Sequence, residues 1–438
     1  MPESLFLFLH LRMPFYEDFL FYVWQFKAFS QQDLKTIDNQ SIKLFYPGIL
    51  NKNAGPDFEH AHLQIGDTEW VGNVEIHIKS SDWVQHNHTQ DKAYNNVVLH
   101  VVYEYDTPVF RNDGTGIPTL EIRPYIYPNI ENQYKALIEN LNWIPCEKHI
   151  AGIEDLHIES WLLRMLIERL EVKSQQFIEI LDEYKGSWDD AFYIALARNF
   201  GFKTNALPFE MLARSLPQQI LARHKNNQLQ IEALIFGQAG FLEEDLDDSF
   251  HKMLRNEYRF LKAKYNLKPI DKYLWKFLRL RPQNFPTLRL AQFAALIVKS
   301  SHLFSIVLEK KNAKQISDLF KHLPVSEYWL THFRFEKNAE KVSVQLGETS
   351  IHNILLNSVS LTLFTYGKFT DNEEITERAV NLLETIPFEN NQITQRFLDI
   401  GLKKGTSGRS QALLHLKKSY CDLKKCLNCA VGIKIVNS

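Results

Sequence analysis

Trp70-Val-Gly-Asn-Val-Glu75-Ile-His77-Ile-Lys79 alternates apolar and polar side chains over its second half. A period of two is the mark of a β-strand with one face in a core. Val74, Ile76 and Ile78 share one face, and Glu75, His77 and Lys79 share the other. The apolar set fixes the register, so the polar trio is presented together. Outward from this strand, residues 42–125 read as short β-rich runs punctuated by Gly, Pro, Asn and Asp. Strands are predicted at Ile42–Tyr46, Phe58–Ile65, Trp70–Lys79, Val97–Tyr105 and Thr119–Tyr125. Glu17–Phe29 carries Phe19, Tyr22, Val23 and Phe26 at helical spacing, and Ser81–Asn95 is expected to be partly helical.

From Ile153 the pattern changes. Leu156, Trp161, Leu163, Leu166, Ile167, Leu170 and Phe177 recur mostly at three- and four-residue steps. Helical periodicity continues to about residue 420, broken at Gly186, Gly201, Pro208, Pro217 and Gly240. No fixed internal period points to a solenoid. The expected architecture is an α+β or α/β domain over residues 13–130, with a mixed sheet and flanking helices. An all-α region over 150–410 follows, then a short cysteine-bearing tail over 411–438 that docks back on the first domain.

Composition sets the class. Forty-five per cent of residues are apolar and the chain holds 30 Phe, 17 Tyr and 8 Trp, ample for a large core and against global disorder. A net charge of -2 announces neither a nucleic-acid nor a membrane partner, although a local basic patch remains compatible with it. No apolar run reaches the length of a membrane span. Leu5–Leu11 is apolar but short, without a basic leader or a small-residue cleavage site, so no signal peptide is expected. Met13 is an alternative start. With only 4 cysteines, the chain reads as one from a reducing, cytoplasmic compartment.

Asn53-Ala-Gly-Pro-Asp57-Phe leads into the strand before Glu75. If Asp57 sits beside Glu75, two carboxylates meet next to His77. Such a set suits Mg²⁺ or Mn²⁺, which lowers the pKa of a bound water and clamps a phosphate. His77, with Lys79, would orient or deprotonate that water. The bland alternative makes Asp57 a turn residue and leaves Glu75 and His77 on a solvated face. Asp82, His86, His88, Asp91 and His100 crowd the next connection and strand. They read as a second metal site or as phosphate contacts, or else as a polar loop with Asp82 capping a helix and His100 satisfied in the core. Arg279, Arg281 and Arg289 flank Pro282-Gln-Asn-Phe-Pro286 and offer phosphate-binding forks, or pair locally at a helix corner.

Cys421-X4-Cys426-X2-Cys429 lies near the end of the chain, and Cys146 follows the β-rich region. Together they make a four-thiolate set for Zn²⁺ or an iron–sulfur cluster, with His415 as a substitute ligand favouring zinc. Ordinary buried thiols are the alternative.

Two resemblances follow from these residues. Pro56-Asp57 and Glu75-X-His77, set within helix, three strands, helix and strand, resemble the PD-(D/E)XK nuclease superfamily over about residues 17–105. The resemblance implies a nuclease-like sheet, metal held by Asp57 and Glu75, and nucleic acid as substrate. The departure is His77 where that superfamily has lysine; Lys79 lies one step on. The arrangement of the cysteines also resembles an iron–sulfur staple found in some of these nucleases. More extensively, Gly55-Pro-Asp-Phe, Trp70-Val-Gly-Asn-Val-Glu-Ile-His, Ser80-Ser-Asp-Trp, His86-Asn-His88, Tyr94, Val98-Leu-His-Val-Val, Phe236-Gly-Gln-Ala-Gly and Arg279-Leu-Arg-Pro-Gln-Asn-Phe-Pro are similar to the bacterial domain-of-unknown-function 2851 family. The expected function is a metal-dependent phosphodiesterase. The alternatives are a non-catalytic binding or assembly module and a small-molecule metallohydrolase using the histidines.

Overall fold

The structure, a computed structural model, describes residues 13–300 and 302–438, with side chains from Glu17 onward. The apolar stretch Leu5–Leu11 lies outside the described residues. The chain divides into two compact units: residues up to Trp161 together with Lys417–Ser438, and Leu162–Leu416.

The first unit begins with helix α1 (Met13–Gln25). Phe19, Leu20, Tyr22, Val23 and Trp24 of α1 are buried, and the Trp24 indole N–H donates to the Pro47 carbonyl at 2.9 Å. Next come β1 (Ile42–Tyr46), β2 (Ile49–Leu50), β3 (Phe58–Ile65) and β4 (Thr68–Lys79). Helix α2 (Asp82–Gln85) and two 3₁₀ turns lead to β5 (Val97–Glu104), and then come β6 (Thr119–Glu121) and helix α3 (Pro128–Glu139). The strands form one six-stranded mixed sheet, ordered β1-β3-β4-β5-β6, with β2 also on β3. β1, β2 and β4 run antiparallel to β3, whereas β4–β5 and β5–β6 are parallel.

Two local devices shape the sheet around the site. Phe58 and Ala61 of β3 are both fully buried although an odd spacing separates them. A register shift between them, with His60 at φ 58°, supplies the extra residue that turns both inward. In β4, a side chain at Gly72 would collide with Val98 and come within 2.9 Å of the Asn96 carbonyl, so β5 can begin against β4 only because Gly72 has no Cβ. β5 is buried on both faces up to Val102, as a central parallel strand must be, and its Val-Val-Leu-His-Val-Val run supplies the apolar surface.

The second unit is helical, from the C-terminal part of helix α4 (Asp155–Glu183) to Leu416. It is not all-α: a two-stranded ribbon joins His332–Arg334 to Lys337–Asn338. The Phe236-Gly-Gln-Ala-Gly run is a packing node. A Cβ at Gly237 would overlap the Tyr258 ring, the Tyr258 hydroxyl donates to Gln238 Oε1 at 3.0 Å, and the Trp275 indole donates to the Ala239 carbonyl at 2.8 Å. Among the described residues no single helix is long and apolar enough to cross a membrane.

Candidate metal centre

Glu75 and His77 emerge from the same face of β4, and the parallel register that sets Glu75 opposite His100 brings a second imidazole from β5 to that face. All three side chains are buried: Glu75 is 4% exposed, His77 2% and His100 0%. Asp57 precedes β3 and interlocks with β4. Its Oδ2 accepts the Ile76 amide at 2.9 Å, while its own amide donates to Glu75 Oε2 at 3.1 Å. One Glu75 oxygen is thereby pinned, and Oε1 faces the histidines.

The connection between α2 and β5 folds back over this face. His88 Nε2 comes within 3.1 Å of Glu75 Oε1 and His77 Nε2 within 3.5 Å. His86 Nδ1 lies 3.2 Å from His77 Nε2, and donor atoms of His77, His86 and His88 all fall within 4.8 Å of one another. The far nitrogen of His77, Nδ1, is 2.8 Å from His100 Nε2. That contact fixes the ring and leaves Nε2 facing the cluster. Tyr94 stacks on His88 with ring centroids 3.8 Å apart, and the buried Trp83 packs edge-on against His77 and His88 and tilted against His100.

Electrostatics follow from this crowding. Burial first, then the neighbouring imidazoles His100, His88 and His86, push His77 far below the usual imidazole value. Burial and then His88 lower His100 to about 3. Both rings are neutral near pH 7 and keep a lone pair. Burial raises the carboxyls of Asp57 and Glu75; the Glu75 charge raises Asp57 further, and Glu17 raises both. A cation placed among them would relieve that repulsion. His88 Nε2 has no hydrogen-bond partner despite its closeness to Glu75 Oε1.

The two groups read separately from the sequence thus meet. Asp57, Glu75 and His77 stand with His86, His88 and His100 in one constellation. Asp82 and Asp91 do not point their carboxylates into it: Asp82 accepts the Lys79 amide at 2.9 Å and Asp91 accepts that of Ala93 at 2.9 Å. Lys79 ends half-exposed, 4.0 Å from Glu104 on β5. In the helical unit, Arg279 and Arg281 are exposed, whereas Arg289 is buried and its guanidinium donates to Gln292, Asn284 and Ser350. Such a side chain is committed to its own unit and presents nothing to a phosphate. His415 lies in the helical unit, 3.5 Å from Glu168.

Sequence reading missed Glu17. It sits near the start of α1, its carboxyl raised by burial and next to His86, Asp82 and Asp18. The available signal was an acidic residue opening an otherwise apolar-aromatic helix.

No curated protein and no solved structure matches the chain. The family described as "Protein of unknown function (DUF2851)" matches residues 17–392, which include β1–β6, the metal-ready cluster and most of the helical unit. The chain belongs to the DUF2851 family.

Proposed function

We propose that the cluster on β4 is the metal centre of a hydrolase acting on phosphodiesters, with nucleic acid as the substrate class. The observation that carries the metal reading is the convergence of His77, His86 and His88, whose donor atoms all lie within 4.8 Å of one another, with Glu75 Oε1 beside His88 and His77. Glu75 Oε1 lies 3.1 Å from His88 Nε2 and 3.5 Å from His77 Nε2, and His77 Nε2 lies 3.2 Å from His86 Nδ1. Ligands of one ion at about 2.0–2.1 Å from it stand roughly 3.3 Å from each other in a tetrahedron. Three imidazoles beside a carboxylate favour Zn²⁺ or Mn²⁺ over Mg²⁺. The phosphodiester reading draws on the mixed sheet and the Asp57/Glu75 pair, which accord with a nuclease-like domain.

In this reading His77, His86 and His88 would hold the ion, with the Glu75 carboxylate beside them. Asp57 fixes Glu75 through its backbone amide, and His100 fixes the His77 ring. His77 would therefore be a ligand rather than the base, because its Nδ1 is taken by His100 and its Nε2 faces His86 and Glu75. The bound metal supplies a water acidified toward neutral pH. Glu17, electrostatically coupled to His86, would be the candidate base. Lys79 lies with Glu104 and has no part in the reaction.

The imidazole-rich donor set favours one second reading, a metallohydrolase for small esters. Metal analysis of the purified chain, followed by assays on single- and double-stranded DNA and RNA and on a small phosphodiester with Mn²⁺, Zn²⁺ and Mg²⁺, tests both. Wild type should bind about one Zn²⁺ or Mn²⁺ per chain at this centre. Glu75→Gln and His88→Ala should lose it, and hydrolysis should fall by at least about a hundredfold. Hydrolysis of the small ester alone favours the second reading. A bound metal without hydrolysis leaves a binding module, and a wild-type metal content unchanged in both variants sinks the centre itself.

A further inference from the structure

The four cysteines lie in the same unit, and all are free thiols. Cys146, Cys426 and Cys429 are buried and Cys421 half-buried. The C-terminal segment is fastened beside Cys146. Lys424 Nζ donates to the Ile138 carbonyl at 2.6 Å, the Lys417 ammonium sits 5.2 Å above the Trp143 ring, and Trp161 meets Tyr420 edge-to-face at 5.4 Å. Cys146 is presented by a turn in which its carbonyl accepts the amides of His149 and Ile150, each at 2.9 Å. In the tail, the Cys429 amide donates to the Cys426 carbonyl at 3.2 Å, and a Cβ at Gly432 would strike that same carbonyl. This close packing orients two thiols together.

The thiols gather from both ends of the unit. Cys421 interacts electrostatically with Cys146, Cys429 and Cys426, and Cys146 interacts with Cys429 and Cys426. Burial raises the Cys429 thiol, and the neighbouring Gly432 and Val431 amides oppose that. Lys417 and Lys424 add positive charge next to Cys421 and Cys426. Burial raises all four thiols above their ordinary range, and the ammonium groups oppose that only in part. Four such groups in one place would repel as thiolates unless they share a cation.

Their spacing bears on the occupant. Four thiolates on one tetrahedral zinc stand about 3.8 Å apart. Among the described residues these sulfurs do not form a set within 4.8 Å, as the three histidines do. Thiolates bound to different irons of one cluster are held further apart than those on a single ion. We propose that Cys146, Cys421, Cys426 and Cys429 ligate one iron–sulfur cluster, which ties the C-terminal segment to the N-terminal unit. This inference is independent of the histidine centre and of any hydrolysis there.

The test uses the full chain, expressed with iron and a sulfur source and purified without oxygen. The expected product is brown, with broad absorption near about 400 nm and comparable amounts of iron and acid-labile sulfide. Cys146→Ser should lose most of both. Cys421→Ser, at the least buried of the four positions, should do the same while keeping the far-ultraviolet circular dichroism of the wild type. His77→Ala should keep the iron and the colour while losing metal from the histidine centre, which separates the two sites. A wild type without iron and sulfide even after reconstitution, a colourless chain with stoichiometric zinc, or iron retained in both cysteine variants overturns the proposal.

Discussion

At the scale of single residues, the proposed centre would depend on side chains outside its donor set. His100 is fully buried and offers Nε2 to His77 Nδ1 at 2.8 Å, so its role is to hold the ligand ring in place. Partners of this kind are worth about 10–100-fold in metal affinity. His100→Ala should weaken Zn²⁺ or Mn²⁺ binding by about that factor, measured by competition with a chromophoric chelator. His100→Gln, which keeps an acceptor for the His77 N–H, should recover part of the loss. Equal affinity in the wild type and both variants would contradict the positioning role. Sequence could nominate His77 and His100 separately, because each sits in a legible strand. It could not pair them, since their contact depends on a register between strands that local pattern does not encode.

At the scale of elements, the strands were legible and their irregularities were not. Ile42–Tyr46 and Phe58–Ile65 match the bounds predicted for them, because β-rich runs between turn residues are a local property of the sequence. The last run, predicted to Tyr125, ends as a strand at Glu121 and turns into a 3₁₀ helix at Arg123–Tyr125, where Pro124 removes an amide from the ladder. In α4, Lys173 illustrates what helical periodicity hides. It donates to Asn357 Oδ1 at 2.8 Å, and burial, then the Arg169 charge, lowers it from 10.5 to about 8, with Glu389 opposing. Because the folded chain releases this proton at lower pH, the unfolded chain binds more protons between those two values. The buried ammonium therefore costs stability at neutral pH, and that cost is relieved as pH rises from about 8 to 10.5, by roughly 3 kcal/mol at most. Urea denaturation of wild type and Lys173→Met at pH 7 and pH 10 checks this. The stability of wild type relative to the variant should rise with pH, and a difference that is flat with pH rules the mechanism out.

At the scale of the whole molecule, the chain's end belongs structurally to its beginning. Val431, Ile435 and Val436 are buried, and the Tyr22 hydroxyl donates to Asn437 Oδ1 at 2.9 Å. Each such apolar side chain contributes about 1.5–3 kcal/mol of burial. A shared cluster would also close a loop of about 275 residues, by analogy with disulfides another several kcal/mol. A chain ending at Leu416 should therefore unfold its N-terminal unit at lower temperature by calorimetry and lose metal from the histidine centre with it. An unchanged transition would mean that the segment is dispensable. The sequence alone determined the change from a β-rich to a helical pattern, the strand face that carries Glu75 and His77, and the candidate thiols, because periodicity and residue chemistry are local. Only the tertiary structure decided that Asp57, Glu75, His77, His86, His88 and His100 come together, that Lys79 pairs with Glu104 and Arg289 is buried within its own unit, and that the C-terminal cysteines fall in the same unit as Cys146. Those outcomes rest on a parallel register, on a loop folded back over buried Trp83, and on contacts between distant segments. Each is chosen by the packing of the whole core, which no window of sequence contains.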